Sequence, residues 1–174
     1  MTIKRMLIPT DLSPAALHAL EYAVDLAKPF DAELVLLFVL ESLFYPLPDY
    51  DGAQSAAMAE AFAEQRRIAQ RAMARLEKRY AKRGTKLRTL LQSGRPAEAI
   101  VDTAKRTRAD LVVMATHGRT GVSRLLLGSV AERVVRTAPC PVLTLHAPSK
   151  KPSAMRHRRH ARTTFQTAPR LSSR

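Results

Sequence analysis

A chain of 174 residues, 46% of them hydrophobic and 25% charged, can bury about 70% of the surface its unfolded form exposes, which suits one domain with its own core. The single Cys140 excludes an intramolecular disulfide, no Cys/His spacing suits a zinc site, and the longest unbroken apolar run, Leu34 to Leu40, is far too short to span a bilayer. Of the formal charge of +14, eight Lys and Arg with no acid lie from Pro148 onward, leaving an ordinary +6 on the body and weakening any claim that the whole molecule is a polyanion binder.

In chain order, Lys4 to Pro9 reads as a first strand, and Pro9 and Asp11 interrupt what would otherwise be the apolar stretch of an export signal after Lys4 and Arg5. A cytoplasmic setting is therefore expected. In Thr10-Asp11-Leu12-Ser13-Pro14, Ser13 suits an N-cap and Pro14 the first helical position. Leu17, Leu20, Val24 and Ala27 recur at helical spacing until Pro29 closes the element, and Glu33 to Leu40 is the next strand. Pro46, Pro48 and Gly52 mark Glu41 to Gln54 as a loop. The longest helical pattern follows, about Ser55 to Lys82, with Met58, Phe62, Ala69, Met73, Leu76 and Tyr80 as its inner stripe and Gly84 as its terminator. Its outer face carries Arg66, Arg67, Arg71, Arg75, Lys78, Arg79 and Lys82, the pattern of a solvated helix face.

A third strand, Lys86 to Gln92, leads through Gly94 to Pro96, where a short helix begins and runs to Thr107. A fourth strand, Asp110 to Ala115, then a glycine loop, a helix from Ser129 to about Thr137 and a fifth strand, Val142 to His146, complete a domain of residues 1–147. The basic segment 148–174 has the low hydrophobicity and block charge of a disordered extension.

Strands that alternate with helices and are mostly apolar throughout predict an α/β fold, a doubly wound five-stranded parallel sheet of order 3-2-1-4-5 with helices on both faces. Ligands of such sheets bind outside the carboxyl ends of the strands where the order reverses, here between strands one and four. Pro9-Thr10-Asp11 and the glycine loop meet there. The same order leaves Val142 to His146 as an apolar edge, which predicts a homodimer paired through it.

The glycine loop lacks the Gly-x4-Gly-Lys-Ser/Thr of a P-loop, and no Gly-x-Gly-x2-Gly follows the first strand. What stands there is Ala115, Gly118, nine residues, then Gly128-Ser129-Val130. Together with Ile8-Pro9-Thr10-Asp11-Leu12-Ser13-Pro14, these residues resemble the universal stress protein family, whose nucleotide-binding members carry Gly-x2-Gly-x9-Gly-Ser/Thr. The resemblance covers about residues 3 to 147. It implies that Asp11 and the backbone of Val39 meet an adenine, that Pro9 and Ala115 lie against the ribose, and that Gly118, Gly128, Ser129 and Val130 hold the phosphates. It implies further that Thr10 and Met114 line the pocket and that Arg119 adds a cation. Ala115 departs from the family's first glycine, and its methyl could narrow the approach of ribose and phosphate.

Blander roles exist for the same residues. Gly118 and Gly121 suit turn geometry, Ser129 with Glu132 matches a capping box, and Asp11 could cap the first helix in place of Ser13. His117 lacks a nearby nucleophile or orienting carboxylate in its motif, while His18 suits a helix surface and His146 a strand end. The resemblance implies a dimeric stress-response module binding ATP or AMP, with Mg2+, and no catalytic residue beyond what slow hydrolysis needs. The alternative from another class is an adapter without nucleotide, working through its dimer surface and a basic tail that contacts nucleic acid. An adenylating ligase is disfavoured, because Asp11-Leu-Ser-Pro stands where such enzymes place a phosphate loop.

Overall fold

A computed structural model describes residues 2–41, 52–116 and 128–146, the side chains of 52–55 excepted. The elements are β1 (Arg5–Thr10), α1 (Pro14–Ala27), β2 (Glu33–Glu41), α2 (Gly52–Ala81), β3 (Leu87–Gly94), α3 (Pro96–Thr107), β4 (Leu111–Ala115), α4 (Ser129–Thr137) and β5 (Val142–Leu145), with a 3-10 turn over Lys28–Phe30. All strand pairs are parallel, in the order β3-β2-β1-β4-β5. The expected doubly wound architecture is the one observed.

The unbroken run Leu34 to Leu40 works because a strand alternates its side chains and this one is covered on both sides. Leu34, Leu36, Phe38 and Leu40 join Met6, Ile8, Leu20, Val24, Met73 and Tyr80 under α1 and α2. Val35 and Leu37 join Leu7, Val112, Met114, Ile100 and Val134 under α3 and α4. Each fully buried aliphatic side chain contributes roughly 1.5–3 kcal/mol of transfer free energy, so the two clusters supply the driving force that holds the sheet between its helices.

Local signals set the ends of the elements. Ser13 accepts a hydrogen bond from the Ala16 amide at 3.2 Å and Pro14 opens α1. Gly84, at φ +74, takes the left-handed conformation that stops α2, its amide donating to the Ala81 carbonyl at 3.0 Å. At the amino-terminal edge of the sheet, Asp110 accepts from the Lys4 and Arg5 amides at 2.7 and 2.9 Å. Glu33 bridges Arg5 and Arg88 there, and the Arg5 hydrogen bond, opposed by burial and reinforced by Arg88, holds its carboxyl below the usual range.

Three expectations need correcting here. The inner stripe of α2 holds for the buried Ala69, Met73 and Tyr80 and the partly buried Phe62 and Leu76, but Met58 is 41% exposed. Met58 lies on the same stripe, yet every residue from Ala56 to Ala61 is exposed, so the first turns of α2 extend past the body that would cover them. The helix also begins at Gly52, inside the expected loop, and β3 runs on to Gly94.

Candidate functional site

The carboxyl edge of the sheet opens where the strand order reverses. The ladder between β1 and β4 comprises Met6–Leu111 and Leu7–Val112, so Ile8–Thr10 and Val113–Ala115 run on without pairing to each other. On the other side of β1, pairing with β2 ends at Thr10–Phe38, while β2 and β3 stay paired to Glu41–Gly94. From Val39 onward the β1-side edge of β2 therefore borders the same crevice. Pro9 and Thr10 are buried at its base, and Asp11, Val39 and Ala115 are half-buried around it.

Beyond β1 the chain makes a tight polar turn. Thr10 Oγ1 accepts from the Leu12 amide at 3.0 Å, Asp11 Oδ1 accepts from the Ser13 amide at 3.0 Å, and Leu12 adopts φ 62. Short polar side chains that satisfy the backbone two residues on stabilise such a turn. Asp11 thus orients Ser13 and does not replace it as the cap of α1. Leu12 tolerates its left-handed backbone because its side chain packs on the core.

Opposite this turn, Thr116 gathers three elements. Its amide donates to the Leu145 carbonyl at 2.9 Å, its carbonyl accepts from the Gly128 amide at 2.9 Å, and its hydroxyl lies 2.8 Å from His146 Nδ1. The residue is 1% exposed. A Cβ at position 128 would stand 2.7 Å from the Thr116 carbonyl oxygen, so only glycine allows α4 to start this close to β4. Gly128 is the N-cap, in extended conformation, and among the described residues no side chain caps the helix. The expected Ser129–Glu132 capping box is not formed: Ser129 is the first helical residue, exposed, and Glu132 instead pairs with Arg136 at 2.7 Å. The first amides of α4 therefore keep their donors and the positive end of the helix dipole uncovered by any side-chain cap.

The topology thus sets Pro9, Thr10, Asp11, Val39, Ala115, Gly128, Ser129 and Val130 around the ends of neighbouring strands and the α4 start. Met114 is buried among the residues under α3 and α4, at the crevice floor rather than its rim. Ala115 has no positive φ, so its methyl imposes no backbone strain. Gly118, Arg119, Gly121 and His117 lie outside the described residues, as does the basic segment 148–174. Thr116 was not singled out from sequence, although a lone polar residue directly after an apolar strand and before a glycine loop is a readable sign. His146 is not a bare strand end, since it engages Thr116.

Among the described residues no group of three or more His, Cys, Asp and Glu is placed to hold a metal. Nor does a helix there have the length and apolarity to cross a membrane. A shallow groove between α3 and α4, lined by Val101, Asp102, Arg133 and Thr137 among others, lies away from the crevice, and its Glu98 is occupied by Arg133 at 3.1 Å.

The sequence model of the universal stress protein family matches residues 2–146. A universal stress protein of Methanocaldococcus jannaschii is 41% identical over 149 residues, 85% of each chain. The structure of the universal stress protein UspA from Lactobacillus plantarum is similar with a TM-score of 0.73 at 29% identity, over 83% of this chain and 99% of that one. A universal stress protein family member from Arabidopsis thaliana, solved with AMP bound, shares the fold with a TM-score of 0.57 at 20% identity, over 87% of this chain and 97% of that one.

Proposed function

The chain belongs to the universal stress protein family, and from that footing we propose that it binds an adenine nucleotide, ATP or AMP, in the crevice between β1 and β4. The carrying observation is the α4 N-terminus, held against β4 by Gly128 and Thr116 with its first amides capped by no described side chain, directly beside the open end of the β1–β4 ladder. Such a terminus favours a phosphate through its amides and its dipole. In this reading Ser129, Val130 and Gly128 meet the phosphates together with Gly118 and Arg119, Asp11 and the Val39 main chain meet the base, and Pro9 and Ala115 flank the ribose. Thr10 and Met114 support the walls. The fold itself is compatible with such a ligand, as the AMP-bound Arabidopsis thaliana protein illustrates; the case for this chain rests on its own residues.

Mg2+ would arrive with the phosphates, because it is commonly held by one or two carboxylates plus phosphate oxygens and no described cluster would cage it alone. The described residues around the crevice supply donors and walls and assign no group to transition-state chemistry, so the proposed role is ligand sensing in a stress response, with any hydrolysis slow. The working unit is proposed to be a cytoplasmic homodimer joined along Val142 to His146, with residues 1–147 as the domain and 148–174 as an appended segment.

The test separates amide from hydroxyl. Ser129→Pro removes the first donor of α4 at the helical position where proline is most at home, and Gly128, at φ −60 and ψ 147, already has the backbone that precedes a proline. Calorimetric titration with Mg-ATP and with AMP should show affinity lower by about 10-fold or more in Ser129→Pro, since a hydrogen bond to a charged group contributes about 1.5–3 kcal/mol. Ser129→Ala should lose less. No heat with either nucleotide, together with no adenine nucleotide released on denaturing the freshly purified protein, would sink the proposal and favour the adapter reading.

A further inference from the structure

The outer surface of α2 carries a charge arrangement that the nucleotide reading does not use. Arg71, Arg75, Lys78 and Lys82 follow one another at intervals of four, three and four residues, so they form a single ridge along the helix. At about 1.5 Å per residue the ridge spans roughly 16 Å. It stands opposite the stripe of Ala69, Met73 and Tyr80 that faces the core, and all four side chains are exposed.

Several neighbouring cations are committed elsewhere. Arg67 pairs with Glu64 at 3.2 Å, and Arg79 and Arg83 pair with Glu21 at 3.8 and 3.5 Å while lying over the Tyr80 ring. On the other helices Arg95 and Arg133 share Glu98, and Arg136 has Glu132. None of the ion pairs formed by the described acids reaches Arg71, Arg75, Lys78 or Lys82. Like charges at these spacings repel and weaken the helix. A merely solvated face needs no such alignment, and interleaved acids would relieve it.

We propose that this ridge docks against the phosphodiester backbone of a nucleic-acid duplex without reading its sequence. Charge complementarity names the partner: a straight row of cations on a rigid rod faces a polymer with one negative charge per about 1.7 Å of axis. A membrane surface fits less well, because the apolar stripe behind the ridge is spent on the core and leaves no face to insert beside the cations. The ridge uses no residue of the crevice or of the basic segment 148–174.

Fluorescence anisotropy of the full chain with labelled DNA and RNA duplexes of about 20 bp, over about 50–200 mM salt, tests this. With Arg71, Arg75, Lys78 and Lys82 all changed to Gln, binding should weaken. The plot of log K against log salt should become shallower by about 3 to 4, near 0.9 for each lost phosphate contact. The same difference should persist when the eight Lys and Arg beyond Pro148 are all Gln. Glu64→Gln, which frees Arg67 on the same side of the helix, should tighten binding, a gain that misfolding cannot mimic. Equal affinity and slope in native chain and ridge variant would overturn the proposal. So would absence of duplex binding by the native chain, or a ridge-dependent affinity for phosphatidylcholine–phosphatidylserine vesicles exceeding that for duplex.

Discussion

At the scale of single residues, Gly128 answers a packing demand that sequence alone does not separate from the proposed phosphate contact. A methyl group on residue 128 would meet the Thr116 carbonyl oxygen at 2.7 Å, and that oxygen belongs to backbone held by β5, so it cannot swing aside. Gly128→Ala should therefore destabilise the fold by about 2 kcal/mol, within the range of overpacking changes, and lower the melting temperature by roughly 4–8 °C in a thermal scan. A melting temperature unchanged to within a degree would contradict this contact. Any side chain at position 128 would therefore perturb packing as well as the proposed phosphate contact, which makes Ser129→Pro the better probe. The motif positions were legible as a set, but the reason for Gly128 was not, because Thr116 looks like an ordinary strand end until the chain folds. The Ser129–Glu132 spacing misled for the same reason: the contact to β4 makes Gly128 the N-cap and leaves Ser129 one place too far along to cap.

At the scale of elements, α1 and α2 are clasped by one buried phenol. The Tyr80 hydroxyl donates to Glu21 Oε1 at 2.6 Å, and burial first, then the Glu21 carboxylate, push the phenol up to about 12. Because the folded value lies above the unfolded value of about 10, this group's contribution is complete below pH 10 and is lost as pH rises towards 12. Tyr80→Phe should cost about 1–2 kcal/mol at neutral pH in denaturant titration and flatten the loss of stability between pH 10 and 12. Parallel alkaline profiles for the two proteins would refute the clasp. Helical spacing placed Tyr80 on the inner stripe, whereas Glu21, distant in sequence, had to be brought beside it by packing. The same stripe misjudged Met58, since periodicity tells which side of a helix is apolar and not how far the neighbouring body reaches.

At the scale of the molecule, β5 is one of the two edge strands of the sheet, with Val142 to Leu145 all half-buried and Val135 exposed on α4. If the proposed dimer forms along this edge, light scattering on the native chain should return twice the monomer mass, and Thr144→Lys, a charge of the kind that protects edge strands, should return the monomer mass. A native monomer at micromolar concentration would rule the pairing out. Sequence by itself determined the element order, most helix starts and stops, the strand order and hence where the sheet opens between β1 and β4. Those follow from periodicity, from proline, glycine and short polar residues acting within a few positions, and from the handedness of crossovers. Only the tertiary structure decided that Gly128 is pinned to Thr116, that Met58 lies beyond the core and that, among the described residues, no side chain caps α4 and no acid pairs with the α2 ridge. Each of those depends on atoms far apart in the chain meeting or failing to meet, and no local pattern encodes such a distance.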